Sequence, residues 1–65
     1  MKWQVRDDPY EEVEAFVNDD NVVELWHERI KISGTYDHMI GEFPNARQAL
    51  AHVANVWPDA RRIEE

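Results

Sequence analysis

The stretch "VVELWHERIKISGTYDHMIGEF", residues 22–43, decides the fold, because it can be wound or extended and the two choices build different molecules. Wound as a helix, it would put Val22, Trp26, Arg29 and Ile30 on one side, with Ser33-Gly34 as its stop. Extended, it alternates, and Ser33-Gly34 becomes a two-residue turn between two strands. Four β-branched residues, Val22, Val23, Ile30 and Ile32, lie between positions 22 and 32 and favour the extended form. The reading is therefore a β-hairpin. With the turn at Ser33-Gly34, Arg29 stands opposite His38 and His27 opposite Ile40.

Alternation sorts the hairpin's side chains. Trp26, Ile30, Ile32, Met39 and Phe43 are assigned to the core face. Leu25, His27, Arg29, Lys31, Tyr36, His38, Ile40 and Glu42 are assigned to the other. An antiparallel sheet commonly packs one face and wets the other, so the polar set is accounted for by solvent alone. It is also a candidate contact surface.

Outward from the hairpin, "KWQVR" (2–6) reads as a short strand with Trp3 and Val5 inward. "DDPYEEVEAFVNDD" (7–20) reads as a helix ending near Asn18. Asp8 is its cap, Pro9 suits the first turn, Glu11 completes a capping box, and Tyr10, Val13, Phe16 and Val17 recur at helical spacing. A second helix starts at Asn45, with Gln48 three residues on. Its stripe is Ala46, Ala49, Leu50, Val53 and Trp57, and Pro58 ends it. "ARRIEE" adds a last strand through Ile63, flanked by Arg62 and Glu64. The order is βαββαβ. This predicts an α+β single domain over residues 1–65, a four-stranded antiparallel sheet with two helices on one face, in the ferredoxin-like arrangement. The plainer alternative is a three-stranded sheet with one helix.

Composition narrows the function. Sixty-five residues make one small core. No cysteine is present, which removes disulfides, thiolate zinc sites and cysteine nucleophiles and fits a cytoplasmic protein. The start has no apolar signal segment, and no run is long enough to span a membrane. Three Trp, two Tyr and two Phe argue against an acidic disordered tail.

Chemistry finds little to use. Ser33 is the only serine and sits in the turn, outside any Gly-x-Ser-x-Gly. No phosphate-binding loop occurs, and the pairs Asp7/Asp8 and Asp19/Asp20 lie at element ends. A metal set of His27, His38 and Glu42 can be drawn, but Arg29 beside His38 would repel a dication, and His52 lies on another element. The histidines read instead as exposed polar groups, pH-responsive if Glu42 or a partner carboxylate engages them. No cofactor, metal or catalytic residue is assigned, and the chain reads as a non-enzyme.

Charge is the informative property. The net charge is −7, and residues 7–20 hold seven of the fourteen acids with no Lys or Arg. The leading expectation is a small acidic interaction protein that inhibits or regulates a basic partner, including a nucleic-acid-binding protein. The acidic helix Asp7, Asp8, Glu11, Glu12, Glu14, Asp19 and Asp20 would be its contact surface. In charge and size alone, with no shared motif, this resembles the small acidic phage inhibitors that mimic nucleic acid. A second expectation is a basic sheet face, Lys2, Arg6, His27, Arg29, Lys31, Tyr36 and His38, that binds an anion or nucleic acid. One clear aromatic and a repelling acidic helix weaken it. A third is a dimer module that pairs through the sheet or its edge, using Leu25 and Ile40.

Overall fold

The computed structural model describes residues 1–63. It holds β1 (Lys2–Gln4), β2 (Glu11–Val17), β3 (Val23–Lys31), β4 (Gly34–Phe43), α1 (Ala46–Val56) and β5 (Arg61–Ile63). All five strands lie in one sheet in the order β4-β3-β2-β1-β5, antiparallel at every pairing. Strands β1 to β4 form a meander. The chain then returns through α1 and lays β5 along the free side of β1. The class is α+β, but the ferredoxin-like βαββαβ order is not found: among the described residues one helix is present, not two, and the sheet has five strands. The three-stranded alternative fails on strand number for the same reason.

The missing helix is β2. Tyr10, Val13, Phe16 and Val17 fit a helical stripe, yet the same stretch also alternates, with Glu11, Val13 and Ala15 buried and Glu12, Glu14 and Phe16 on the other side. Burial between β1 and β3 decides the choice. Asp8 and Pro9, expected to start a helix, form tight turns. Asp8 N donates to Val5 O (3.2 Å), with both intervening residues, Arg6 and Asp7, at positive φ (59° and 53°). Asp8 Oδ1 then accepts from Tyr10 N (2.9 Å), and Asp8 O from Glu11 N (3.1 Å). Asn18, the expected helix end, opens the β2–β3 turn. Its Oδ1 accepts from Asp20 N (2.9 Å) and Val22 N (3.1 Å), and Asn21 takes positive φ (62°).

The hairpin is found. Its turn lies one residue earlier than expected, at Ile32-Ser33, with Lys31 opposite Gly34, so Arg29 stands opposite Tyr36 and His27 opposite His38. Leu25 faces Gly41 and Trp26 faces Met39, which leaves Ile40 as an extra residue in a bulge.

The second helix is where the sequence puts it. Asn45 caps it through Gln48 N (2.9 Å), and Trp57 N closes it on Val53 O (2.8 Å) before Pro58. Only Ala49 and Val53 of its stripe are buried; Leu50 is exposed. β5 forms as expected, with Ile63 opposite Lys2; Glu64 lies outside the described residues.

The core is Trp3, Val5, Val13, Ala15, Val23, Leu25, Ala49 and Val53, with Ile40, Phe43, Trp57 and Ala60 packed against it. The expected core face of the hairpin is therefore inverted. Leu25 is fully buried, Ile30, Ile32 and Met39 are exposed, Trp26 is half-buried, and of the expected set Phe43 alone packs on the core.

Candidate functional site: the carboxylate face of the sheet

Residues paired across antiparallel strands share a face, and alternate residues change face. Since Trp3, Val13, Leu25 and Phe43 point toward the helix, the opposite face is set by register. One row crosses it from β5 to β4: Arg61, Gln4, Glu12, Glu28, Asp37. A second contains Ile63, Lys2, Glu14, Trp26 and Met39, and a third Phe16, Glu24 and Glu42. Among the described residues this face holds six carboxylates against Lys2 and Arg61.

Compensation is uneven over the face. In the third row, Asn18 Nδ2 donates to Glu24 Oε2 (2.8 Å) and reaches Glu42 Oε2 at 3.5 Å, while Trp26 Nε1 donates to Glu24 Oε1 (2.9 Å). These hydrogen bonds, Asn18's first, hold the Glu24 carboxyl below its usual value. From the second row, Lys2 Nζ reaches across to Glu12 Oε1 of the first at 3.9 Å. Glu28 is pushed the other way: partial burial raises its pKa, and the neighbouring Asp37 charge adds to the rise. Directly opposed like charges destabilise a sheet, and here Glu12–Glu28 and Glu28–Asp37 are two such pairs in succession.

Apolar groups lie among these acids. Phe16 is 43 % exposed and Met39 46 %, either side of the half-buried Trp26. At the hairpin tip, Tyr10, Ile30, Lys31 and Ile32 line an open cleft of about 440 Å³.

The other face carries the basic and histidine residues of the hairpin. His27, Arg29, Lys31, Tyr36 and His38 do share a face, as expected, but it is the helix-side face. The His27 ring meets the His38 ring edge-on (centroids 5.3 Å apart) and lies tilted against Trp57 (5.5 Å), and Lys31 Nζ stands 4.9 Å over the Tyr36 ring. His27 Nε2 bonds Glu11 Oε1 at 2.8 Å, and Arg6 lies 3.8 Å from the same oxygen. His27 is thus not an exposed polar group. Lys2 belongs to the opposite face, and Arg6 sits in the first turn. The drawn metal set comes apart, because Glu42 lies on the carboxylate face; no cluster of three ligating side chains occurs among the described residues. Leu25 and Ile40, expected on a self-pairing surface, pack in or against the core.

The expected acidic helix surface is divided as well. Glu12 and Glu14 reach the carboxylate face, Glu11 is 2 % exposed inside, and Asp7, Asp8, Asp19 and Asp20 occupy turns. The residues that join Glu12 and Glu14 are Glu24, Glu28, Asp37 and Glu42; sequence reasoning passed over the first three and placed Glu42 with the histidines instead. For Glu24 and Glu28 the signal was the alternation of "EVEAF" with "VELWHE", in which acids and aromatics occupy every second position. Among the described residues, no helix is long and apolar enough to cross a membrane. No protein-family model, curated protein or solved structure matches the chain.

Proposed function

We propose that this domain is a non-enzymatic interaction module that binds a basic protein on its carboxylate face and thereby inhibits or regulates it. The observation that carries this reading is the Glu12–Glu28–Asp37 row, in which carboxylates are stacked side by side at a cost to the fold. A cationic partner turns that repulsion into attraction. Carboxylates one strand apart, about 4.8 Å, form a ladder of negative charge. Such a ladder suits the lysine- and arginine-rich groove of a nucleic-acid-binding protein, so mimicry of nucleic acid belongs to the same reading, as does a cytoplasmic setting. Phe16, Trp26 and Met39 supply the apolar contact that long-range charge lacks.

The test is calorimetric titration with an arginine-rich peptide at low and high salt. The paired change Glu12→Lys with Glu28→Lys should weaken binding at least about tenfold, and salt should weaken the wild type. The paired change Arg29→Glu with Lys31→Glu, on the helix-side face, should leave binding intact or tighten it. If the second pair abolishes binding and the first does not, the reading fails.

A further inference from the structure

The carboxylate row does not end inside the sheet; it runs out to a bare edge. β4 is ten residues long, lies at the margin of the sheet, and has nothing paired to its outer side among the described residues. The other margin, β5, is three residues long. Natural edges are commonly blunted by lysine, proline or short length, and β4 has no Lys or Pro within it. Its one irregularity is the bulge at Ile40, close to the Phe43 end. Residues 34–38 are a regular, open template.

The direction of its free groups follows from one hydrogen bond. Ile30 N donates to Tyr10 O (2.8 Å), on the β2 side, so Ile30 has no ladder bond to spend on β4. Its partner Thr35 therefore turns its N–H and C=O outward, and strand alternation does the same for Asp37. The side chains of these residues lie on the carboxylate face. A residue of an incoming strand that bonds Asp37 would place its own side chain beside the Asp37 carboxylate, as the next member of the row Glu12–Glu28–Asp37.

Building on the carboxylate-face reading, we infer that the basic partner adds an extended segment to the β4 edge as a sixth strand, with a Lys or Arg opposite Asp37. Backbone groups of Thr35 and Asp37 supply the hydrogen bonds, and the cation closes the row of negative charge at its open end. Alternation predicts the partner's pattern: cations at every second residue on the carboxylate face, and residues that tolerate Tyr36 and His38 between them.

The probes are three synthetic peptides of alternating Lys and Thr: one unmodified, one N-methylated at the Lys residues, one N-methylated at the Thr residues. In an antiparallel added strand the residues bonding Thr35 and Asp37 are those whose side chains share their face, the Lys residues. Lys N-methylation should therefore weaken binding about tenfold or more, while Thr N-methylation should not. The unmodified peptide should also slow amide exchange at Thr35 and Asp37, and Asp37→Lys should weaken it about tenfold. Equal binding of all three peptides without amide protection overturns strand addition. The carboxylate-face reading then still stands if Glu12→Lys with Glu28→Lys weakens them. Failure of the unmodified peptide to bind overturns the inference too, and an arginine-rich peptide indifferent to those two changes removes the underlying reading as well.

Discussion

Glu28 of β3 stands directly opposite Asp37 of β4, and on its other side directly opposite Glu12 of β2, so one carboxylate is held between two others. Its pKa is raised, by partial burial first and by Asp37 next. A raised carboxyl binds its proton more readily in the folded chain than in the unfolded one. Between the usual value of 4.5 and the raised folded value, stability therefore falls as pH increases. Glu28→Gln should remove that slope and stabilise the fold at neutral pH by about 0.2–1 kcal/mol, in keeping with a partly solvated pair. Thermal melts of both proteins from pH 4 to pH 7 would read the difference.

Glu24 shows the opposite sign. Its lowered pKa means that it stabilises the fold above the usual 4.5, and that this contribution is lost as pH falls through the lowered folded value. Asn18→Ala removes the first cause of the shift together with the turn bonds to Asp20 N and Val22 N. Loss of the turn bonds should cost about 0.5–1.5 kcal/mol, and the Glu24 titration should return toward its usual value, as seen by carboxyl NMR.

Inside the fold, the buried Glu11 and the half-buried His27 form a pair at 2.8 Å. His27→Ala leaves the Glu11 carboxylate with Arg6 at 3.8 Å and should cost about 1–3 kcal/mol in urea melts. Glu11→Gln keeps an acceptor for His27 and should cost less. Equal losses would show that the pair is only space-filling.

Gly34 closes the β3–β4 turn at φ 138°, where side chains are strained, although a methyl group would meet nothing within 4 Å. Gly34→Ala should therefore destabilise by about 1 kcal/mol through the backbone alone. Chemical denaturation would measure it.

What could be read from the chain was local. The hairpin of residues 22–43 follows from its β-branched residues, and α1 from Asn45 and Pro58. β2 was hidden because Tyr10, Val13, Phe16 and Val17 fit the helical period while the strand period rests on other members of the same stretch, Glu11, Val13 and Ala15, and Asp8-Pro9 serves a turn as well as a cap. The faces were inverted for a different reason. Trp26 and Ile30 are large and apolar, so size placed them inside, whereas the core takes Val23 and Leu25 and accepts His27 because Glu11, sixteen residues away, meets it. The bulge at Ile40 then puts Met39 on the carboxylate face and Phe43 on the core, though both sit at odd positions of one strand. Neither the distant hydrogen bond nor the bulge leaves a periodic trace.

The most direct measurement is the carboxyl NMR titration of Glu28 with and without a saturating arginine-rich peptide. If a cation docks on the Glu12–Glu28–Asp37 row, the Glu28 pKa drops on binding, from above its usual value to that value or below. A titration midpoint that does not move when the peptide binds would place the partner elsewhere and contradict the assignment of this face.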